Sequence, residues 1–226
     1  MRRVYAWRPE CAPPSLSRLW PPSSIRGLPF EEVGMSYDGE RVSLRAIEPD
    51  DLDRYLVWVN DPEVTRWLAL RYPIGREGER QILERLTRAN GYGDAAFAVE
   101  DRATGEHLGT ISLFDAKPES RVAELGIFLG AKDRWGEGFG YDALVTLLRF
   151  GFWEMNLRRI ELSVLDGNTR AKALYERVGF KEAGRRPGHW YKRGAALDDF
   201  LMSISREAFE TQHGAPARIV LPGREA

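Results

Sequence analysis

Cysteine and histidine are scarce in this chain of 226 residues. It has one cysteine, Cys11, and three histidines, so no disulfide can form within the chain and no metal-ligand set is evident. Its 33 basic and 34 acidic side chains nearly cancel, which argues against recruitment of nucleic acid or anionic membrane by overall charge. No apolar run approaches the roughly twenty residues that span a bilayer. We therefore expect a cytoplasmic protein with no structural metal, no nucleic-acid partner and no membrane partner.

Regular periodicity is missing from the first 35 residues, which contain six prolines. Proline interrupts helices and strands because it fixes φ and lacks a backbone N–H. We predict a poorly ordered, proline-rich arm over residues 1–35, one domain over 36–208 and a short tail over 209–226. Met35 stands just before the regular pattern, and we hypothesise that it is the biological start. The length allows one domain with an ample core, as a monomer or a homodimer.

The most informative stretch covers residues 123–140, where an apolar segment leads into Gly136, Gly138 and Gly140. A helix with apolar side chains three or four residues apart follows. Alternate glycines allow backbone N–H groups to converge on one point, and the helix N-terminus adds partial positive charge there. This combination predicts an anion-binding turn suited to phosphate.

Two other kinds of phosphate loop do not fit this turn. A dinucleotide-binding turn has the spacing G-x-G-x-x-G and an acidic residue about twenty positions later. Here the spacing is G-x-G-x-G, and Asp166 lies too far along the chain. A nucleotide-hydrolysing loop continues with Gly-Lys-Ser or Gly-Lys-Thr, whereas Tyr141 follows Gly140.

Residues 44–46 with 58–64, the glycine run 135–140 and residues 168–180 form three motifs in order along the chain. Together they resemble the GNAT acetyltransferases, in the form typical of their RimJ/RimL-like branch. The run Trp135-Gly136-Glu137-Gly138-Phe139-Gly140 resembles the Q/R-x-x-G-x-G/A loop that binds acyl-CoA pyrophosphate in that family. Residues 168–180 are similar to N-x-x-A-x-x-x-Y-x-x-x-G-F, and residues 44–46 with 58–64 are similar to the opening of the branch. The likeness covers residues 43–208.

The resemblance implies an α/β fold with a mixed sheet of about seven strands, a splayed parallel strand pair and flanking helices. The residue pattern agrees, since Val42, Leu44 and Ala46 alternate with polar residues as in a half-buried strand. A helix over 138–154 joins the strands over 121–129 and 159–165, and such a connection makes them parallel. The other predicted elements are helices over 52–59, 77–89 and 169–178, and strands over 95–99, 107–114, 182–185, 189–192 and 198–204.

The resemblance also implies acetyl-CoA as co-substrate and assigns residues to it. These residues form the pyrophosphate loop and a pantetheine channel between the parallel strands: Ile127, Phe128, Leu129, Arg134, Trp135, Gly136, Glu137, Gly138, Phe139, Gly140, Asn168 and Arg170. By its position alone, Asn168 is predicted to cap the helix over 169–178, and both roles can hold at once. Trp58, Asp61, Arg66 and Trp67 could meet the acceptor, although tryptophans at helical spacing more often pack in the core.

Acyl transfer to an amine requires a base, because an alkyl amine is protonated at neutral pH. Glu124 lies eleven residues before Trp135, the spacing at which several GNAT enzymes carry a glutamate base, and it is our candidate. Other relatives place the base where this chain has Ser163, which cannot serve, and Glu161 is a more distant alternative. Tyr175 matches the family's tyrosine, which can donate a proton to the departing thiolate.

We therefore predict an acetyl-CoA-dependent N-acetyltransferase that acts by direct attack of a primary amine in a ternary complex. The acceptor would be a peptide N-terminus, a polyamine or an amino sugar. Cys11 lies in the proline-rich arm and is a poor candidate for a covalent intermediate. The alternative is a non-catalytic acyl-CoA-binding or interaction protein on the same fold, against which Glu124 and Tyr175 argue. Three ordered motifs disfavour a nucleotide-binding module of another fold.

Overall fold

A computed structural model of the chain describes residues 36–216. The predicted arm over residues 1–35, with Cys11 and Met35, lies outside the described residues, as do residues 217–226. Within the described range, no helix combines the length and the apolar character that crossing a membrane requires.

A mixed sheet, eight-stranded in the described range, has the strand order β1-β2-β3-β4-β5-β6-β8-β7. The strands β5 and β6 are parallel, and the other neighbouring pairs are antiparallel. This arrangement confirms the predicted fold class, with eight strands instead of about seven. The strands are β1 (Tyr37–Asp38), β2 (Val42–Arg45), β3 (Ala95–Asp101), β4 (His107–Lys117), β5 (Val122–Leu129), β6 (Arg159–Leu165), β7 (Lys181–Lys192) and β8 (Ala195–Ser205).

The last two strands differ from the sequence prediction. The segments predicted at 182–185 and 189–192 belong to one strand, β7, whose register against β8 shifts between Arg186 and Trp190. Pro187 lies within this shift, and it has no backbone N–H to donate to the ladder. The sequence predicted a break between two strands at this point, whereas the structure has one strand with a local irregularity in its pairing.

Helices cover both faces of the sheet, because alternate residues of a strand point to opposite faces. In β3, Ala96 and Ala98 pack with Leu83 on one face, whereas Val99 joins the larger core with Leu147 on the other. A single π-helical turn, Phe150–Glu154, follows the third helix. The α-helices of the described range are α1 (Leu52–Val59), α2 (Arg76–Thr87), α3 (Phe139–Arg149), α4 (Thr169–Val178) and α5 (Arg206–His213).

The buried carboxylate of Asp142 fixes the start of α3 against β2. It accepts hydrogen bonds from the backbone N–H groups of Glu40, Arg41 and Val42 at 3.1, 2.7 and 2.9 Å. A Cβ atom on Gly39 would lie 2.4 Å from an oxygen of this carboxylate, so a larger residue would force the two segments apart. The contact holds the glycine turn before α3 at a fixed place beside the sheet.

The packed structure continues past residue 208, where the sequence analysis ended the domain. Phe209 of α5 is fully buried, and its ring centroid lies 5.3 Å from that of Phe152. The side chains of Gln212 and His213 hydrogen-bond the carbonyls of Arg177 and Val178 at 2.8 and 2.9 Å. The domain therefore includes α5. Phe209 is the buried residue of an otherwise polar helix, which is too little periodicity to predict its packing.

Candidate active site

The parallel strands β5 and β6 lie side by side only along their first halves. Their register ends at Glu124 and Glu161, whereas β5 continues to Leu129 and β6 to Leu165. Each strand keeps its other neighbour, β4 or β8, along this further length. The backbone groups that face the gap are therefore without a strand partner in the described part of the chain. The predicted splayed pair is present.

A cavity of about 400 Å³ opens where the two strands separate. Six residues predicted from the sequence as candidate site residues line it together: Trp67, Glu124, Ile127, Phe128, Asn168 and Tyr175. Several other wall residues were not predicted from the sequence to belong to the site, among them Leu86, Thr110, Ser112, Phe114 and Trp190.

Glu124 has an environment that favours proton uptake. Burial raises the pKa of Glu124 above its usual value; Arg186 opposes this shift, and the carboxylates of Asp115, Asp199 and Glu161 add to it. A carboxylate with a raised pKa accepts a proton at neutral pH more readily than a glutamate with the ordinary pKa. Glu124 can therefore act as a base toward a group bound in the cavity.

Tyr175 lies in the cavity wall with its ring packed against Phe180, at 6.0 Å between centroids. Burial raises the pKa of Tyr175 to about 12, so the hydroxyl keeps its proton over the physiological range. Within residues 36–216 the hydroxyl makes no hydrogen bond. It is available as a donor to a group that enters the cavity.

The glycine turn presents unpaired backbone donors at the start of α3. Gly136 and Gly138 have φ values of +89° and +94°, which favour glycine, and Gly138 is the N-cap residue of α3. None of the five N–H groups from Gly136 to Gly140 has an acceptor among the described residues. Such a set of donors at a helix N-terminus is suited to a phosphate or pyrophosphate group.

The sequence matches one known protein family over more than half of its length. The family model described as acetyltransferase (GNAT) domain matches residues 41–181. The chain belongs to the GNAT acetyltransferases. Its enzyme class, an N-acetyltransferase, is confirmed by relatives and structural neighbours that bear this name.

Relatives cover most of this GNAT chain. The N-acetyltransferase p20 of Bacillus licheniformis is 28% identical over 171 residues, which are 75% of this chain and 96% of p20. YdaF of Bacillus subtilis, named as a ribosomal N-acetyltransferase, is 28% identical over 76% of this chain and 94% of its own. The spermidine N-acetyltransferase of Vibrio cholerae, solved with CoA and spermine, is 25% identical. Its TM-score is 0.68, over 75% of this chain and 98% of its own.

Several predicted loop residues of the GNAT domain shape the glycine turn. Trp135 donates a hydrogen bond from Nε1 to the carbonyl of Leu129 at 2.8 Å. The guanidinium of Arg170 lies over the Trp135 ring, 4.5 Å from its centroid. A Cβ atom on Gly140 would lie 3.2 Å from a methyl group of Leu174, so glycine allows α3 and α4 to approach closely. These contacts connect the turn to both the splayed strand and α4.

Arg134 is engaged by three carboxylates. It forms ion pairs with Asp101 at 2.8 Å, with Glu137 at 3.3 Å and with Glu106. The ring of Phe139 is buried beneath it, 4.7 Å from the guanidinium carbon of Arg134. Because its ring is buried, Phe139 can contact a ligand only through its backbone N–H. The main role of Arg134 in this structure is to hold the glycine turn in place through its three ion pairs.

Asn168 caps α4 as predicted, with its Oδ1 atom accepting a hydrogen bond from the N–H of Ala171 at 3.4 Å. The residue also lines the cavity. Its amide Nδ2 has no acceptor in the described part of the chain. The geometry leaves this donor for a ligand while the oxygen serves the helix.

The four residues named as possible acceptor contacts divide into two groups. Trp67 lines the cavity, and Arg66 lies beside it, 5.1 Å from the ring centroid. Trp58 is buried instead. Its ring packs directly against Gly130, where a Cβ atom would lie 2.0 Å from the ring. Asp61 pairs with Lys132 at 2.9 Å. Trp190, which the sequence analysis placed in a closing strand without a role, reaches the cavity from β7.

Proposed function

We propose that this GNAT protein transfers the acetyl group of acetyl-CoA to a primary amine by direct attack in a ternary complex. One observation carries the proposal: Glu124 and Tyr175 line the same cavity at the separation of β5 and β6. A base and an acid facing one cavity are what thioester aminolysis requires.

The co-substrate would be held by two sets of residues. The N–H groups of residues 136–140 would bind the pyrophosphate, with Arg134 and Arg170 beside them. The pantetheine arm would lie in the gap between β5 and β6, against residues 127–129 on one side and the free amide of Asn168 on the other. The fit rests on unpaired donors at both places.

Glu124 would accept the proton that the amine loses on attack, directly or through a water molecule. Its raised pKa suits this exchange with an ammonium group, whose reference pKa is about 10.4 for a lysine type and about 7.7 to 8.0 for an α-amine. When bound, acetyl-CoA supplies the thioester carbon and a thiolate leaving group.

Tyr175 would donate its hydroxyl proton to that thiolate. The oxyanion would be met by a backbone N–H of Ile127 or Phe128. Successive N–H groups of a strand point to opposite edges, so one of these two faces the gap. Donors fixed where charge develops lower the barrier without reorganisation.

The relatives support two acceptor classes. YdaF supports a peptide amine and a place in the RimJ/RimL-like branch, whereas the Vibrio cholerae neighbour supports a polyamine; an amino sugar is the third candidate. A non-catalytic acyl-CoA-binding role on the same fold is the alternative. The raised pKa of Glu124 and the hydroxyl of Tyr175 in one cavity favour the enzyme.

The test is CoA release from acetyl-CoA with N-terminal peptides, polyamines and amino sugars as acceptors. Release with one class supports the enzyme and its acceptor together. If no acceptor reacts while acetyl-CoA raises the melting temperature, the non-catalytic alternative gains support. If acetyl-CoA does not change the melting temperature, the proposal fails at the cofactor site.

A further inference from the structure

Four basic side chains lie on the two chain segments that bring Trp67 and Trp190 to the cavity wall. Arg66 and Arg71 lie between α1 and α2, and Lys192 and Arg193 lie at the junction of β7 and β8. We call these four residues the basic rim. They come from segments far apart in sequence, which meet only in the folded chain.

Aromatic contacts and hydrogen bonds place the rim at the cavity. The guanidinium of Arg71 lies 6.0 Å from the ring centroid of Trp190, which lines the cavity. Lys192 donates from Nζ to the carbonyl of Thr65 at 2.8 Å and to that of Leu68, another wall residue. Arg71 and Lys192 are thus attached to the wall, and Arg66 and Arg193 are their neighbours on the same two segments.

The rim carries a net positive charge. Within residues 36–216, none of its four members forms an ion pair with a carboxylate. Asp61 and Glu63 are near in sequence, but both pair with Lys132, at 2.9 and 2.8 Å. Lys132 compensates one of these two carboxylates, so one negative charge remains near the four cations of the basic rim.

The Glu124 end of the cavity has the opposite character. Glu124 itself has no ion-pair partner in the described range, whereas each nearby carboxylate has one. The pairs are Asp115 with Lys117 at 3.3 Å, Glu161 with Arg159 at 2.7 Å, and Asp199 with Arg186. Of these four carboxylates, only Glu124 is left without a basic partner. Its single negative charge suits one ammonium group.

We propose that the acceptor is the N-terminal amine of a peptide whose third and later residues are acidic. This inference rests on the proposed function and adds the acceptor class. The amine would lie at Glu124, the first side chains between Trp67, Phe114 and Trp190, and the following carboxylates at the basic rim. Because the rim spans two segments, it fits an extended chain better than a single carboxylate.

A polyamine fits this distribution of charge poorly. Its amine at Glu124 would be compensated, but its other ammonium groups would lie toward the cations of the rim. Like charges brought together across an interface disfavour binding. The chain thus differs in expected acceptor from the spermidine N-acetyltransferase that it resembles in fold.

The test compares amidated hexapeptides that begin with Ala-Leu and carry Glu-Glu, Gln-Gln or Lys-Lys at the third and fourth positions. Spermidine and a small amine with one carboxylate, such as γ-aminobutyrate, complete the panel. We expect kcat/KM to be about tenfold higher for the Glu-Glu than for the Gln-Gln peptide at low salt. The difference should shrink at high salt, since exposed charges are screened beyond about 10 Å at 0.1 M.

Two variants distinguish the rim from general charge effects. Arg71→Glu should lower the Glu-Glu to Gln-Gln ratio of kcat/KM about tenfold. Lys181→Glu changes an exposed lysine at the other end of β7 by the same charge and should keep the ratio. A preference for spermidine, for the Lys-Lys peptide or for γ-aminobutyrate overturns the proposal, as does equal loss in both variants.

If no peptide in the panel causes release of CoA, the assignment of a peptide acceptor is also overturned. The proposed function survives that result if a member of another amine class reacts. It fails as well if no amine reacts and acetyl-CoA leaves the melting temperature unchanged.

Discussion

Glu124 and Glu161 are the last residues at which β5 and β6 lie side by side. Beyond this pair the strands separate, and the cavity with Tyr175 and Asn168 lies in the space between them. Glu124, the candidate base, therefore lies at the closed end of the gap, where burial raises its pKa and the carboxylate of Glu161 on the neighbouring strand adds to the shift.

Charges around Glu124 should control the acidic limb of the pH–rate profile. A base acts when deprotonated, so kcat/KM should fall as the pH drops through the pKa of Glu124. Arg186→Gln removes a charge that lowers this pKa, and the limb should move to higher pH. Glu161→Gln removes a charge that raises it, and the limb should move to lower pH.

Glu124→Gln should remove this limb and lower the rate most above the pKa of Glu124, where the carboxylate of the parent enzyme is deprotonated and active as a base. Profiles of all three variants, measured at saturating acetyl-CoA, check the assignment. An unchanged profile in Glu124→Gln would exclude it as the base. Loss of activity in Glu161→Gln without a shift would favour Glu161 instead.

Tyr175→Phe should lower kcat about 100-fold, in the range of a lost general acid, and leave acetyl-CoA affinity nearly unchanged. The melting temperature should stay close to that of the parent protein, since the hydroxyl faces the cavity and makes no hydrogen bond in the described range. Calorimetric binding and thermal unfolding measure both. Tyr72→Phe, at an exposed tyrosine, is the control, and a fall in stability with unchanged kcat would make Tyr175 a core residue.

Gly138→Val should weaken acetyl-CoA binding by about tenfold or more. Valine strains a backbone at φ +94° by on the order of 1–3 kcal/mol, and relief of that strain would turn the N–H donors away from one another. Titration of acetyl-CoA measures the change. Gly214→Val, at φ +83° in open space beyond α5, imposes similar strain, and equal loss of affinity there would contradict the anion-binding turn.

Two substitutions of Asn168 separate its cap from its ligand role. Asn168→Asp keeps the oxygen that accepts from Ala171, so stability should stay close to that of the parent protein. Asn168→Ala loses it and should reduce the free energy of unfolding by about 1 kcal/mol. Both lack the Nδ2 donor, so acetyl-CoA affinity should fall in both. Unchanged affinity in the aspartate variant would leave Asn168 as a cap alone.

Phe209→Ala should lower the free energy of unfolding by about 3–5 kcal/mol, as expected for an aromatic side chain removed from a core. Denaturant titration measures the effect. Glu207→Ala, at an exposed position on the same helix, should change stability by less than about 0.5 kcal/mol. Equal effects from the two variants would contradict the inclusion of α5 in the packed domain.

The local elements of this fold could be predicted from the sequence. Alternation in Val42 and Leu44 predicted a strand, and the connection through α3 predicted that β5 and β6 are parallel. Such patterns involve side chains only a few residues apart, so they are visible in the sequence itself. The packing of Phe209 was missed because one apolar residue makes no periodic pattern.

The sequence by itself determined the family, the glycine turn and the pairing of Glu124 with Tyr175 as candidates, because these depend on residue types at fixed spacing. The tertiary structure decided what surrounds them. Trp190 and the basic rim come from segments more than a hundred residues apart, as Lys192 and Thr65 show. Their approach depends on the long-range order of the sheet, which no local spacing encodes.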